Sequence, residues 1–371
     1  MSSSKRKVLF LIESLSSGSG TAPKALATLV QYIDKTKYDV TVCAINGGGK
    51  YESVVRENAN YKAILDAPDG TKHNLVYKGM PLSWVYKFFV PKDSDVEVAF
   101  VEGFTTKLLS CSSNKKAKKY AWVHSNLHQN HWTKEVYKSI DEEAKAYSQF
   151  NKILCTSELT KLAFTAEFPA LRVPMDTIYN PIDSLSVRLK SLNVNSDATD
   201  DSVTRLVTVG NLEAPQEYSR LLRIVNRLVK EGYKIHLGIF GDGSEHGILE
   251  RYIKENDLKE SVKLYGAHPN RYKYLAQGKL YICPSFGNAA VEALILGLPI
   301  ITTDARSMSE LLKDGECGML VDNTEEALYT GLKRLLDDSE LLKQYQQKAE
   351  ARGWDFDIEA LMVPIENLLA E

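Results

Sequence analysis

The chain has 371 residues, which corresponds to about two domains of ordinary size. Apolar residues make up 44% of it, enough for large cores, and the formal net charge of −2 argues against nucleic acid as the main partner. The cysteines show no CxxC pairing, and neither they nor the histidines have the spacing of metal ligands. Residues 1–7 carry no secretory signal, and no apolar run reaches the length of a membrane span. We therefore expect a cytoplasmic protein with reduced thiols and no metal.

Strands and helices are predicted to alternate in the first half of the chain. Pro23 fits the first turn of one helix, and Thr133–Phe150 is the clearest of the other predicted helices. The alternation predicts a doubly wound parallel sheet. Apolar runs predict its strands at Val8–Ile12, Tyr38–Ile45, Val96–Val101, Lys119–Val123, Lys152–Cys155 and Met175–Ile178.

Residues 181–204 interrupt this pattern with a turn and a polar, acidic stretch, so we expect an interdomain linker there. After it a second alternating series begins, and the tail Trp354–Leu369 has the pattern of an amphipathic helix. The predicted fold class is therefore α/β, with two doubly wound, Rossmann-like domains (1–180 and 205–353) that face each other across a cleft. The second strand series is predicted at Arg205–Val209, Lys234–Phe240, Val262–Tyr265, Leu280–Cys283 and Pro299–Thr302.

The segment Cys283–Asp304 is the most informative part of the chain. Its order of strand, loop, helix and strand indicates a βαβ unit of a parallel sheet. A ligand of such a sheet lies at the carboxyl ends of the strands, where Ser285–Asn288 and Thr302–Glu310 are expected. Glu292, in the first turns of the helix, could accept two hydrogen bonds from ribose hydroxyls. Its alternative role is to stabilise the positive end of the helix dipole.

Two polar residues follow strands of the first half. His124 comes directly after Lys119–Val123, so it should face the ligand-binding edge and hydrogen-bond a sugar hydroxyl or a phosphate. Glu102 follows Val96–Val101 and could bind an acceptor hydroxyl, or it could cap the next helix. We take both as candidate catalytic residues.

Glycine-containing turns follow several of the predicted strands. The loop Ser14–Thr21, which includes Gly20, leads into a helix and suits an anion, although it is equally typical of a turn without a ligand. Gly241 and Gly243 would let a ligand approach the backbone, or they form a tight turn with Asp242 as a cap. Gly266, before His268, could hold a flat base against the backbone.

Two other patterns have competing interpretations. The spacing of His128 and His131 after His124 suggests a metal, but we find no carboxylate that pairs with them in the sequence and favour simple loop packing. The basic run Asn114–Lys119 could contact anionic lipid headgroups, and a solvated loop is the simpler interpretation.

Taken together, these residues resemble the retaining glycosyltransferases of family four, which have the GT-B fold, and in particular their bacterial polysaccharide members. The resemblance extends over nearly the whole chain. The segments that carry it are Lys7–Leu15, Tyr38–Val42, Ala121–His124, Val207–Leu212, Arg220–Leu222, Ile239–Gly243, Val262–Gly266, Cys283–Ser285, Glu292–Pro299 and Glu310–Val321.

The resemblance implies transfer of a sugar from a nucleoside diphosphate, such as a UDP-sugar, to a glycan, polysaccharide or lipid-linked acceptor. It implies retention at the anomeric carbon and no metal or other cofactor. The first domain would bind the acceptor and the second the donor, and residues 354–371 would pack back on the first domain. The residues expected to bind the donor are Gly20, Thr21, Gly210, Asn211, Gln216, Gly241, Gly243, Gly266, Ser285, Phe286, Gly287, Asn288, Glu292 and Arg306.

The chain departs from the family pattern where the diphosphate should bind. Asn211 and Gln216 stand where the family has an arginine and a lysine, which removes two charge-assisted contacts of roughly 1.5–3 kcal/mol each. The loop after Ser285 is shorter than in the family and lacks the first of two glutamates. Arg306 and Lys24 are cations that could substitute for the missing pair.

These departures leave two functions open. The first is a retaining hexosyltransferase, cytoplasmic and in contact with the inner face of a membrane. The second is a catalytically weak or inactive homologue, which acts as a partner subunit of another glycosyltransferase or as a carbohydrate-binding protein. A phosphorylase or an epimerase on the same fold would require motifs that we do not find.

Overall fold

The structure is a computed structural model, which describes residues 4–16, 21–65, 80–192, 202–213, 217–283, 288–303 and 308–371. It divides into two compact units. The first unit comprises Met1–Ile182 together with Ile358–Glu371, and the second comprises Asp183–Asp357. Each unit is built on its own parallel sheet with helices, so the predicted α/β class with two doubly wound domains is confirmed.

The sheet of the first unit has the strand order β3-β2-β1-β4-β5-β6-β7, and its paired strands are parallel. Its strands are β1 (Arg6–Ile12), β2 (Tyr38–Asn46), β3 (Asn60–Leu65), β4 (Val96–Ala99), β5 (Lys118–Val123), β6 (Lys152–Cys155) and β7 (Met175–Thr177). The α-helices described in this part of the chain are α1 (Ala22–Tyr32), α2 (Glu52–Asn58), α3 (Leu82–Phe89), α4 (Phe104–Leu109), α5 (Ile140–Tyr147) and α6 (Glu158–Glu167).

The sheet of the second unit has the order β10-β9-β8-β11-β12-β13, again with parallel pairs. Its strands are β8 (Thr204–Val209), β9 (Ile235–Phe240), β10 (Val262–Gly266), β11 (Leu280–Cys283), β12 (Ile300–Thr302) and β13 (Gly318–Leu320). The described helices are α7 (Ser184–Ser191), α8 (Glu217–Lys230), α9 (His246–Glu255), α10 (Tyr272–Ala276), α11 (Asn288–Ile295), α12 (Glu325–Asp337) and α13 (Ser339–Trp354).

Burial on both faces explains why apolar runs locate the central strands. The five residues Val8–Ile12 of β1 are each at most 1% exposed. Alternate residues of β1 pack into two different core clusters, one containing Phe10 and the other containing Leu9 and Leu11. A parallel strand covered on both sides is therefore continuously apolar in sequence. The edge strands β3 and β13 lack this signal and were not predicted.

The predicted helix Thr133–Phe150 is wrong. The structure has a short 3₁₀ helix at Trp132–Glu135 and a separate α5 at Ile140–Tyr147. Ser139 separates them, because its side chain accepts the N–H of Glu142 and so caps α5. A serine in an apparently periodic segment thus marks a helix start.

The segment 181–204, predicted as a linker, also differs from the prediction. Its first part contains α7, whose N-terminus is capped by the Asp183 side chain through the N–H of Ser186. This helix belongs to the second unit, which begins at Asp183. The acidic stretch 193–201 lies outside the described residues.

The chain ends in the helix α14 (Ile358–Ala370), which begins four residues later than the predicted tail helix because α13 continues to Trp354. Its apolar face belongs to the core of the first unit and includes Ile365 and Leu368. The Tyr38 hydroxyl donates to the Glu366 carbonyl at 2.8 Å and fixes the helix beside β2. Part of the core that packs against the first sheet is therefore supplied by α14, which follows the whole second unit in the sequence.

In the portions of the chain that the structure describes, no helix is both long and apolar enough to cross a bilayer.

The C-terminal helix should contribute directly to the stability of the first unit. Ile365 is fully buried, so Ile365→Ala should lower the free energy of unfolding by about 2–5 kcal/mol. Val363 lies on the same helix with 58% of its surface exposed, and Val363→Ala is the matched control. Urea unfolding followed by circular dichroism measures both. Equal losses in the two variants would contradict the packing described here.

Candidate functional site

The first unit has a cavity of about 650 Å³ at the carboxyl edge of its sheet. It lies where the strand order reverses, between β1 and β4, which is where doubly wound sheets bind ligands. Polar groups from three loops reach it because parallel strands end at the same edge. The residues around it include Glu13, Ser14, Thr21, Glu102, His124, Ser125 and Trp132.

Glu102, a candidate catalytic residue, is a buried carboxylate with 1% of its surface exposed. Its Oε2 atom accepts the backbone N–H of His124 at 2.8 Å, so it ties the end of β4 to the end of β5. The alternative role as a helix cap is wrong, since α4 follows Gly103 without a side-chain cap. Within the described residues, the buried Oε1 atom has no hydrogen-bond partner. An acceptor atom of this kind suits a ligand hydroxyl.

His124 lies beside Glu102 in the same cavity. The Asn180 side-chain nitrogen lies 3.3 Å from Nδ1, and in the described part of the chain the buried Nε2 atom has no partner. Burial lowers the pKa of His124 to about 4, despite the opposing charge of Glu102 and a bond to the Phe100 backbone. The ring is therefore neutral at pH 7. If Nδ1 accepts from Asn180, Nε2 carries the proton and is a donor toward the ligand.

A tryptophan packs close to the backbone at this cavity. Gly103 has a φ of 87°, and a Cβ atom on it would come within 2.7 Å of the Trp132 ring. Only glycine combines this backbone conformation with so close an aromatic contact. The Trp132 indole N–H lies 3.4 Å from the Ser125 hydroxyl. Trp132, which sequence reasoning missed, therefore adds a flat apolar surface beside Glu102 and His124.

The expectation that no carboxylate pairs with His128 and His131 is wrong. His131 is buried between two carboxylates, with Nδ1 2.7 Å from Glu167 and Nε2 2.8 Å from Glu143. His128 lies 3.1 Å from Glu167 as well. Burial opposes charge on Glu167, but the bonds from the two histidines lower its pKa. No cluster able to hold a metal ion occurs among the residues that the structure covers. The group ties the loop after β5 to α5 and α6.

In the second unit, the turns after β8, β9 and β10 are joined by backbone hydrogen bonds. The Gly210 N–H donates to Phe240, and the Gly241 N–H donates to Gly266. A Cβ atom on Gly241 would lie 1.8 Å from the Gly210 carbonyl oxygen, and one on Gly243 would lie 2.4 Å from that of Leu212. Close turn packing therefore requires glycine at 241 and 243, whether or not a ligand approaches them.

Four other residues at these turns differ in exposure, in hydrogen bonding and in the space around them. Asn211 is exposed, and the Asp242 side chain accepts the Gly243 N–H instead of capping α9. A Cβ atom on Gly266, where φ is 63°, would meet no atom within 4 Å. His268 accepts the Asn270 N–H through Nδ1, which is the satisfied loop role.

Glu292 is the most deeply buried of the candidate donor-binding side chains in the described residues, at 1% exposure. It lies in the second turn of α11, so stabilisation of the helix dipole does not explain it. The Arg271 guanidinium donates to Oε2 from Nη2 at 2.6 Å and from Nε at 3.0 Å. The Tyr272 hydroxyl lies 3.2 Å from Oε1. Sequence reasoning missed both partners.

A second arginine missed by sequence reasoning lies at the carboxyl edge of the second sheet. Arg220, in the first turn of α8, donates to Asn323 at 2.7 Å and lies 3.3 Å from the Thr303 hydroxyl. These residues follow β13 and β12 respectively. Its Nε atom is buried and has no partner in the described regions. In the sequence Arg220 is only part of a motif, and no local signal indicates that it lies at the sheet edge.

The remaining expected donor-binding residues lie at helix starts or outside the described residues. Thr21 precedes α1 and lines the first-unit cavity without capping the helix through its side chain. Asn288 begins α11, but its side chain lies outside the described part. The positions wholly outside the described residues are Gly20, Gln216, Ser285, Phe286, Gly287 and Arg306.

Comparison with known proteins identifies the second unit. Residues 193–352 match the family model described as "Glycosyl transferases group 1". The chain is 33% identical over 188 residues to the N-acetylgalactosamine-N,N'-diacetylbacillosaminyl-diphospho-undecaprenol 4-alpha-N-acetylgalactosaminyltransferase of Campylobacter jejuni, a match that spans about half of each chain. It is 24% identical to the amylovoran biosynthesis glycosyltransferase AmsD of Erwinia amylovora over 98% of its own length and 99% of that protein.

Solved structures share the fold of the whole chain. HepE of Anabaena, solved in complex with UDP, matches with a TM-score of 0.73 and 18% identity over 98% of this chain and 99% of that one. A glycosyltransferase of Rickettsia africae matches with a TM-score of 0.75 and 12% identity over 99% and 98%. At these identities the likeness shows the GT-B fold alone.

The prediction of a glycosyltransferase of the bacterial polysaccharide type, with the GT-B fold, is confirmed by these matches. The family match extends over residues 193–352, most of the second unit. Glycosyl transfer is the activity that the family and the relatives support, and they do not favour the inactive alternative.

Burial of a neutral histidine should make stability depend on pH. The unfolded chain protonates His124 near pH 6.5, whereas the folded protein does so only near 4. The unfolded state therefore gains protons first as the pH falls, and the protein should lose on the order of 3 kcal/mol across this window. His124→Gln, which cannot titrate, should flatten this part of the profile of unfolding free energy against pH. A profile parallel to that of the wild type would contradict the neutral assignment.

Proposed function

We propose that this protein is a retaining hexosyltransferase that transfers a sugar from a UDP-sugar to a glycan or lipid-linked acceptor. The observation that carries the proposal is the pair of buried, unpartnered polar atoms in the first-unit cavity, Glu102 Oε1 and His124 Nε2, within the described residues. One is an acceptor and the other a donor when Nδ1 accepts from Asn180. Such a pair matches the two hydrogen-bonding functions of a sugar hydroxyl.

The substrates are inferred from the relatives. The name of the Campylobacter enzyme specifies a diphospho-undecaprenol-linked acceptor, and the Anabaena protein was solved with UDP and with UDP-glucose. The acceptor assigned to this chain is accordingly a lipid-linked or free glycan, and the donor is a UDP-sugar. Nucleic acid has no part in the proposal, and neither does a partner glycosyltransferase subunit.

In the proposed mechanism the protein supplies positioning and charge. In the tautomer in which Nδ1 accepts from Asn180, neutral His124 donates to a hydroxyl through Nε2, while Glu102 accepts one through Oε1. Preorganised groups of this kind accelerate transfer because they need no reorientation during the reaction. We also propose that the transferred sugar keeps its anomeric configuration and that both residues take part in catalysis.

The diphosphate needs positive charge, and the proposal includes no metal. Asn211 is uncharged where the family has an arginine. Arg220 is the described cation that we assign to the diphosphate, because its guanidinium lies at the carboxyl edge of the second sheet. EDTA should then leave the activity unchanged.

The activity itself is testable with a panel of donors. We expect calorimetry to show binding of UDP and of one UDP-sugar, with an affinity that falls as salt is added. Transfer to undecaprenyl-diphosphate glycans should give a product that keeps the anomeric configuration of the donor in NMR spectra. His124→Gln should lower kcat about 10²–10³-fold if a donor that acts in the transition state is lost.

A control variant and the donor-binding measurements test the proposal independently. His268→Gln changes a histidine of the second unit whose Nδ1 atom is already bonded to Asn270, and it should retain activity. If UDP, GDP and ADP and their sugars all fail to bind to folded protein, the proposed activity is refuted. The partner-subunit or carbohydrate-binding function would then replace it.

We further propose a cytoplasmic location at the inner membrane face, with contact made by α3 and the basic run. Trp84 and Phe88, one turn apart on α3, are 57% and 63% exposed, with ring centroids 6.2 Å apart. The Lys87 ammonium lies 5.9 Å from the Phe88 ring. Exposed aromatic rings beside lysine are typical of surfaces that enter the headgroup region.

The basic run lies near the chain segment that leaves α3. The Asn114 side chain donates to the Lys92 and Ser94 carbonyls at 3.1 and 2.8 Å, and Lys115 and Lys116 are exposed. Each lysine near an anionic surface contributes about 1 kcal/mol of attraction. The proposed surface combines the two aromatic side chains of α3 with the lysines of the basic run.

Membrane contact is testable with lipid vesicles. The protein should sediment with vesicles that contain phosphatidylglycerol and much less with phosphatidylcholine alone. The double change Trp84→Ala with Phe88→Ala should reduce sedimentation, because it removes the apolar anchors. Leu162 is 67% exposed on α6, and Leu162→Ala is the control. Equal sedimentation of both variants and the wild type would refute this surface.

A further inference from the structure

Within the described part of the second unit, a short ion pair joins the candidate donor-binding residue Glu292 to Arg271, with 2.6 Å between Nη2 and Oε2. Glu292 keeps 2% of its side chain exposed, whereas Arg271 keeps 31%. Both bonds from the guanidinium, from Nε and from Nη2, end on the same carboxylate oxygen, Oε2. The two oxygens of the carboxylate are therefore not equivalent.

The surroundings of Glu292 explain why it needs a cation. Its neighbours on α11 are apolar and buried: Ala290, Ala293 and Leu294 are all 0% exposed. An unpaired carboxylate among such residues would be costly, and a bonded guanidinium reduces that cost.

Arg271 comes from a different element, and that element is fixed in place. It precedes α10, in the turn that follows β10. The side chain of Asn270 donates to the Lys190 carbonyl at 2.9 Å, which ties the turn to α7. The neighbouring Tyr272 supplies the hydroxyl near Oε1. Burial, and then the charge of Glu292, raise the pKa of Tyr272 to about 12, so the phenol remains a donor.

We propose that Arg271 is a positioning residue that directs Glu292 toward the ribose of the nucleotide donor. By occupying Oε2 with two bonds, the guanidinium leaves the recognition of ribose hydroxyls to Oε1, the oxygen on the side of Tyr272. It also fixes the rotamer of a carboxylate that α11 alone would not orient. This inference rests on the proposed function, since it takes a nucleoside diphosphate as the ligand.

The inference predicts discrimination between ribose and deoxyribose that depends on Arg271. A ribose hydroxyl bonded to a charged carboxylate contributes to affinity. The dissociation constant of UDP should therefore be about tenfold or more below that of its 2′-deoxy or its 3′-deoxy analogue. Arg271→Met keeps an apolar stem but removes the guanidinium. It should weaken UDP binding and bring the ratio of deoxy to ribo dissociation constants close to one.

Two further variants separate positioning from a general structural role. Arg271→Lys retains the charge and should restore most of the ratio. In a Glu292→Gln background, Arg271→Met should have little additional effect on the ratio, because the oriented carboxylate is already lost. Thermal unfolding without nucleotide shows whether each variant is folded before calorimetry is performed.

The outcomes are distinguishable. If the wild type binds UDP and prefers ribose, but folded Arg271→Met keeps the same ratio, then Arg271 is only a structural partner and the inference is overturned. An additive effect of the two changes on the ratio would overturn it as well. If the wild type binds no nucleotide among UDP, GDP and ADP, the proposed function itself fails, and this inference fails with it.

Discussion

The parallel direction of the strands determines where chemistry can occur in each unit. Because the paired strands run the same way, the residues that follow them meet at one edge, and the chain order reverses between β1 and β4 and between β8 and β11. Helices cover the faces of the sheets, so this edge is where polar side chains can reach a ligand. In the first unit it brings Glu102 and His124 together, although 22 residues separate them.

Three buried carboxylates in the described residues have defined donors, and each donor fixes a different loop. Glu102 accepts a backbone N–H, Glu143 is bonded to His131, and Glu292 is bonded to Arg271. A buried carboxylate without a donor would destabilise the fold, so these bonds stabilise the protein and orient the site at once. In Glu102 the two roles fall on different atoms. Oε2 accepts a backbone N–H and stabilises the fold, whereas Oε1 has no partner in the described residues and can accept a bond from a ligand.

The sequence predicts the central strands well because each is apolar on both faces, as β1 shows. It fails where a single polar residue decides the structure: Ser139 divides the predicted helix 133–150, and Asp183 starts a helix in the expected linker. Side-chain partners are harder still. Arg271 and Glu292 are 21 residues apart on different elements, and their meeting depends on tertiary packing that no local periodicity encodes.

The return of α14 to the first unit has a consequence for synthesis. The core around β1 includes Ile365 and Leu368, which leave the ribosome after the whole second unit. The first unit, although nearly all of it is made first, therefore lacks part of its core until residues 358–371 have been made. The second unit, whose residues 183–357 are contiguous, can finish folding earlier. A nascent chain halted before residue 358 would expose the apolar groove of the first unit and would be a substrate for chaperones.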